Sequence, residues 1–110
     1  MDDFERTLNQ IITFNHAWKQ ARENYSEKSS ITNALRNRKS CLQASLLRNF
    51  PSRCYLKHDE DNLEGEMLYS IRLIEAVTLP TGLVRKDAEH FPVRLAEELF
   101  TAEELQKLIK

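Results

Sequence analysis

The spacing of apolar residues changes along the chain, and this change limits the folds open to it. From residue 4 to about residue 50, apolar side chains recur at intervals of three or four, which lines them along one side of a helix. From Ser52 onward they alternate with polar residues, as in a strand with one buried face. Helical spacing returns after Pro92. This order predicts an α+β fold with two N-terminal helices, a small antiparallel β-meander and C-terminal helices.

The first helix is predicted over residues 3–25. Its apolar positions, from Phe4 to Tyr25, recur mostly in steps of three and four and so form one face. Asp2 and Asp3 suit the positive end of the helix dipole, and either residue can cap the helix. A short polar break then separates this helix from the next one.

The second helix is predicted from Ile31 to about Phe50, because Pro51 disfavours helical geometry in the residue before it. Ser29 or Ser30 would cap its N-terminus. Its predicted apolar stripe consists of Ile31, Leu35, Leu42 and Leu46.

Arg38 falls inside this apolar stripe, which allows two interpretations. Either the stem of Arg38 packs while its head reaches water, or the helix breaks near residues 37–39. A break would leave two short helices around a turn, with the outline of a helix-turn-helix.

The strand-like part begins at residue 53, where polar and apolar residues alternate up to His58. Residues 67–79 are the longest strand candidate, with a bulge near residues 73–74 to explain a slip in the alternation. A helix over residues 63–76 is the alternative. Between these segments, the acidic residues from Asp59 to Glu66 predict a turn or loop.

Leu79-Pro80-Thr81-Gly82 predicts a tight turn, in which proline fixes the first corner and glycine accepts a positive φ. Residues 83–85 would return as a short third strand.

Two short helices are predicted at the C-terminus. The first starts near Pro92, where proline is tolerated in the first helical turn. The second starts at Thr101, with Glu104 at the spacing of a capping box. Its apolar face, formed by Leu105, Leu108 and Ile109, either docks on a protein partner or builds the core of a monomer.

Length and composition predict a single domain over residues 1–110. The chain is 41% hydrophobic and 30% charged, which is ordinary for a globular protein of this size. The sequence shows neither a signal peptide, which would have a basic start followed by an apolar run, nor the run of about 18–20 apolar residues that a membrane helix needs. A cytoplasmic location away from membranes is therefore expected. In that compartment Cys41 and Cys54 are expected to be free thiols.

Charge is separated along the sequence. Residues 28–58, called the basic segment below, contain seven Lys or Arg residues and no carboxylate. Six of them are candidate nucleic-acid contacts: Arg36, Arg38, Lys39, Arg48, Arg53 and Lys57. The alternative is that these side chains neutralise the acidic loop and the Glu-rich C-terminal helices. A net charge of −1 and a pI near 6.3 are unlike a dedicated DNA-binding domain.

Catalytic and metal-binding patterns are not evident. His16, His58 and His90 fall in different predicted elements, and Cys54 and His58 would lie two side-chain steps apart on a strand, too far for contact. The acidic stretch lacks the ligand spacing of a calcium loop, and no glycine-rich phosphate loop is present. The sequence therefore predicts a protein without enzymatic activity, cofactor or metal.

Two functions are consistent with these features. The first is a small regulatory or accessory protein that binds another protein, either as a monomer or as a homodimer. The alternative is a nucleic-acid-binding protein that uses the basic segment. For the alternative, changing Arg36, Arg38 and Lys39 together to Ala is expected to abolish binding and to leave the fold intact.

Overall fold

A computed structural model describes residues 2–59 and 66–110. In chain order the elements are α1 (Asp3–Asn24), α2 (Ser30–Asn49), β1 (Cys54–Asp59), β2 (Leu68–Thr78), β3 (Val84–Pro92), α3 (Val93–Leu99) and α4 (Ala102–Leu108). The strands form an antiparallel sheet in the order β1-β2-β3, which confirms the predicted α+β fold. Apart from Asp59 and Glu66, the predicted acidic loop lies outside the described residues. No described helix combines the length and apolar character needed to cross a bilayer.

Both N-terminal helices begin at capped residues. The Asp2 carboxylate accepts a hydrogen bond from the Glu5 N–H at 2.8 Å, and the Ser29 hydroxyl accepts one from the Thr32 N–H at 3.1 Å. From Ser30 onward α2 is continuous. The alternative in which the helix breaks near residues 37–39 is therefore wrong, and the helix-turn-helix outline that depended on it does not form.

The buried face of α2 differs from the predicted stripe. Leu42 and Leu46 are buried, but Ile31 is 51% exposed. The helix instead buries polar residues, including Lys39, Ser40 and Gln43. Amphipathic spacing assigns polar residues to the solvent side of a helix. The prediction therefore placed the buried face of α2 incorrectly, because polar side chains of this helix have partners inside the protein.

One face of the sheet packs on the helices. Core side chains sit opposite each other in the pairs Cys54–Leu73 and Leu56–Ile71, and they join a cluster that includes Leu8, Leu46 and Phe91. On the other side, called the outer face below, Lys57 and Arg72 are exposed. Because residues 68–78 form a strand, the alternative helix over residues 63–76 is wrong for the part that the structure describes.

The register of β2 against β3 shifts twice. One shift, between Arg72 and Val77, includes the position of the predicted bulge. The other lies between Ser70 and Arg72, opposite Glu89, which has a positive φ of 70°.

The third strand extends to Pro92 and is longer than the predicted residues 83–85. The irregularity at Glu89 disturbs the alternation on which the prediction relied, so the strand is not visible as a pattern. Between β2 and β3, the predicted tight turn is confirmed. The Gly82 N–H donates to the Leu79 carbonyl at 2.8 Å, and Gly82 has a φ of 87°.

The C-terminal helices start where predicted. Pro92 immediately precedes α3, and Thr101 and Glu104 form both hydrogen bonds of a capping box at the start of α4. After α4, Ile109 forms a parallel bridge with Leu56, whose carbonyl accepts a hydrogen bond from the Lys110 N–H at 2.9 Å. The chain thus covers part of the edge of β1.

A side chain covers part of the edge at β3. Gln43 on α2 is fully buried, and its Nε2 donates to the carbonyls of Ala88 and His90 at 2.8 and 2.9 Å. These bonds satisfy backbone groups that an edge strand would otherwise leave open. They also fix α2 to the strand.

Candidate protein-binding site

Three of the six candidate nucleic-acid contacts are engaged with acidic residues of the same chain. The ion pairs are Arg36–Glu66, Arg48–Glu104 at 3.8 Å and Arg53–Asp2 at 3.1 Å. Arg36 and Arg48 lie on α2 and Arg53 lies just before β1, and each pairs with a residue at least 30 positions away in the sequence. This arrangement agrees with the interpretation that the basic segment neutralises acidic parts of the chain.

The other three candidates lie in different environments. Arg38 is exposed, with its guanidinium 6.0 Å from the ring centre of Phe14, and Lys57 is exposed on the outer face of the sheet. Lys39 is only 4% exposed. Its Nζ donates to the Asn15 Oδ1 at 3.1 Å and lies 4.4 Å from the ring centre of Trp18. The six residues therefore do not form one continuous basic surface.

The burial of Lys39 also changes what is expected of the triple substitution to Ala. Removing this side chain would leave the Asn15 amide oxygen without that donor and open space beside Trp18. We therefore expect the triple substitution to destabilise the fold.

The three apolar residues predicted to bind a partner lie against the protein core. Leu108 is buried, and Leu105 and Ile109 are partly buried against the same cluster of apolar side chains. This face was expected either to dock on a protein partner or to build the core of a monomer, and its burial agrees with the second interpretation.

Cys54 is placed unfavourably for nucleophilic chemistry. Its Sγ is within hydrogen-bonding distance of the Phe50 carbonyl at 3.4 Å, and burial raises the pKa of the thiol to about 11. His58 is exposed, with its ring centre 5.0 Å from that of Tyr69. Within the described ranges, no group of three or more His, Cys, Asp or Glu side chains is arranged to hold a metal ion.

A concave surface lies along the second half of β2. We call it the β2 groove; it has a volume of about 510 Å³ and is lined by Phe4, Glu5, Ser52, Arg53 and residues 74–78. It exists because β1 begins at Cys54, opposite Leu73, while β2 continues to Thr78. The second half of β2 therefore extends beyond its neighbouring strand.

Backbone groups of β2 are left open in this groove. The last contact towards β1 is the hydrogen bond from the Ile74 N–H to the Arg53 carbonyl at 3.0 Å. Beyond it, residues 75–78 have no strand partner on that side among the described residues. Alternate residues of an antiparallel strand point their backbone groups to the same side, so Ala76 and Thr78, in phase with Ile74, present theirs to the groove.

The wall of the groove opposite β2 is held by aromatic packing. Phe4 is buried at the start of α1, and its ring contacts the ring of Phe50 edge to face, with a centroid distance of 5.3 Å. The Arg53 guanidinium lies 4.0 Å from the ring centre of Phe4 and is also paired with Asp2. The groove thus has a fixed wall, and the exposed side chain of Ile74 adds an apolar rim.

The remaining charge at the groove is negative. Neither Glu5 nor Glu75 is in an ion pair with any residue from the described ranges, whereas the cation in the groove, Arg53, is paired with Asp2. A ligand that carries positive charge would therefore be favoured over an acidic one.

Asp2 links this groove to the pH dependence of stability. The hydrogen bond from the Glu5 N–H, followed by the contact with Arg53, lowers the pKa of Asp2 below its ordinary value of 3.8. The stabilisation is therefore present above that value and is lost as the pH falls through the lower pKa of the folded state. We expect Asp2→Asn, which keeps the capping oxygen, to reduce this acid-dependent loss of thermal stability. Melting curves from neutral to acidic pH would show it, and parallel curves for both proteins would contradict it.

The comparisons with known proteins give no family for the chain: no family model matches, and neither the curated proteins nor the solved structures include a significantly similar one.

Proposed function

We propose that the chain is a small, non-enzymatic regulatory or accessory protein of the cytoplasm that binds another protein. The bound part is an extended, basic segment of the partner, which adds a strand to the edge of β2 in the β2 groove. The observation that supports this proposal is the edge of β2 at residues 75–78, which has no described strand partner on the side of β1 and borders a cleft of about 510 Å³.

Strand addition uses main-chain hydrogen bonds for affinity and side-chain contacts on alternate positions for specificity. Residues 75–78 would provide about 13 Å of edge at the rise of an extended strand, which corresponds to about four residues of a partner. The exposed side chain of Ile74 offers an apolar contact at the rim. Glu5 and Glu75 favour lysine or arginine in the bound segment.

The nucleic-acid alternative has weaker support from the geometry. Its six candidate residues are spread over several surfaces, and three of them are in intramolecular ion pairs. A binding site for phosphates requires cations that converge on the same backbone. For this reason we favour a protein partner.

A peptide titration tests the proposed function directly. We expect a short peptide of alternating Lys and Val to shift the amide resonances of residues 74–78 and of Phe4 in ¹⁵N-labelled protein. A peptide of alternating Glu and Val should bind more weakly, because it would meet the carboxylates of Glu5 and Glu75. Shifts elsewhere in the protein, or equal binding of the two peptides, would contradict the proposal.

A matched pair of variants separates the groove from general electrostatic attraction. Glu75→Lys should weaken the binding of the basic peptide about three- to ten-fold, as expected for the reversal of a charge at the rim of an interface. Glu23→Lys makes the same change of net charge at an exposed site on α1 and should leave the affinity unchanged. Since both side chains are exposed, neither variant is expected to alter the fold.

Should both variants behave alike, the attraction would be a property of the net charge and not of the groove. A parallel titration with short oligonucleotides at two salt concentrations would test the alternative. Strong binding that weakens steeply with salt would favour nucleic acid as the partner.

A further inference from the structure

Two rows of side chains cross the outer face of the sheet. Residues opposite each other in neighbouring strands share a face, so the register determines which side chains are neighbours. The rows are Lys57–Ser70–His90 and Tyr55–Arg72–Asp87. Around the two central residues lies a cleft of about 420 Å³, which is lined by side chains from all three strands and shares no lining residue with the β2 groove.

Two of the carboxylates in this cleft are engaged by neighbouring groups. Asp87 accepts hydrogen bonds from the Arg85 guanidinium at 2.8 Å and from the Glu89 N–H at 3.1 Å. Glu89 accepts from Arg85 at 2.8 Å and from the Asn15 amide at 3.2 Å. Burial by itself would lower the pKa of Arg85. The hydrogen bonds and charges of Glu89 and Asp87 have the larger combined effect, so the pKa lies above its ordinary value.

The third carboxylate is also engaged. The Asp59 Oδ2 lies 2.6 Å from the His90 Nε2, and this contact joins the first and third strands across the second. The negative charges of the cleft therefore all have partners within the protein.

The donors on the central strand are in a different situation. Arg72 is exposed, and within the described part of the chain its guanidinium has no ion pair or hydrogen bond. The Ser70 hydroxyl lines the same cleft and has no hydrogen-bond partner among those residues either. Lys57, directly opposite Ser70, is exposed and likewise without a described partner. The groups left available in this part of the outer face are thus two cations and a hydroxyl donor.

From this arrangement we propose that the outer face binds a small organic anion through its carboxylate or phosphate group. The guanidinium of Arg72 supplies two parallel N–H donors, which match the oxygen pairs of either group. Ser70 and Lys57 supply further donors beside it, and Tyr55 provides an aromatic surface next to Arg72 in the same row. The volume of the cleft is in the range of small-ligand sites.

Phenyl phosphate, benzoate and benzamide form a suitable set of probes, because they share a ring and differ in the charged group. We expect saturable shifts of the Ser70 and Arg72 amide resonances with phenyl phosphate, benzoate or both, and none with uncharged benzamide. The anion with the lower dissociation constant identifies the preferred group. Equal shifts with benzamide, or no saturable shift with either anion, would overturn the proposal.

Arg72→Gln should weaken the binding of the preferred anion by about ten-fold or more, since it removes a charge-assisted pair of hydrogen bonds. Arg38→Gln removes the same charge from an exposed position on α2 and should leave the dissociation constant unchanged. Equal losses in the two variants would show attraction by net charge alone and would also overturn the proposal.

Discussion

Replacing Leu108 by Ala is expected to lower the free energy of unfolding by about 2–5 kcal/mol. Leu108 is only 5% exposed and belongs to the same apolar cluster as Leu56 and Phe100. The substitution removes buried methyl groups and leaves a cavity that the surrounding strands and helices fill incompletely. Urea unfolding followed by circular dichroism would measure the change.

Leu99→Ala is the matched control for this experiment. Leu99 lies one helix earlier and is 39% exposed, so the same truncation should cost less than about 1 kcal/mol. The pair also distinguishes the two interpretations of the C-terminal apolar face. If Leu108 served a partner and not the core, its loss would weaken binding and leave the stability of the isolated protein unchanged.

The second large effect is expected at Gln43. Gln43→Leu keeps a similar side-chain volume but removes both hydrogen bonds to the carbonyls of Ala88 and His90. One buried acceptor and one partly buried acceptor would lose this donor, and each loss of a buried partner costs about 1–3 kcal/mol. We expect a destabilisation of about 2–4 kcal/mol, partly offset because the Gln43 Oε1 is itself buried without a partner among the described residues.

Gln10→Leu provides the comparison on a solvent-exposed helix position. It should change the stability by no more than about 0.5 kcal/mol. In urea, Gln43→Leu should lower the midpoint while the slope of the transition stays the same, because the surface exposed on unfolding is similar. A midpoint equal to that of Gln10→Leu would show that the two carbonyls find other donors.

Local sequence signals predicted the helices well. The caps at Asp2 and Ser29 and the capping box at Thr101 depend on interactions within a few residues, so the sequence contains the whole motif. The tight turn ending at Gly82 is equally local. The prediction failed where distant parts of the chain decide the result. Lys39 is buried because Asn15 and Trp18 of another helix surround it, and no pattern within α2 indicates this.

The candidate sites were harder to predict for the same reason. Charges that are clustered in the sequence, such as Arg36 and Arg48, end at separate places and pair with residues 30 or more positions away. The β2 groove depends on where β1 begins relative to β2, which is a property of strand register. The alternation of polar and apolar residues along β2 is enough to place Arg72 on the polar side of the strand. Its neighbours across the sheet, however, could be identified only from the pairing of all three strands.

The unequal lengths of β1 and β2 have a consequence for local opening of the protein. The first half of β2 lies between two strands, whereas Val77 and Thr78, in its second half, pair with β3 alone. A two-stranded ribbon is only marginally stable by itself. Here it is anchored to the core through the buried side chains of Val77 and Leu79. We therefore expect this end of the hairpin to fray without global unfolding, so that its amide protons exchange with solvent through a local equilibrium of lower free energy. A strand added to the edge of β2 would shift that equilibrium towards the closed form and slow the exchange.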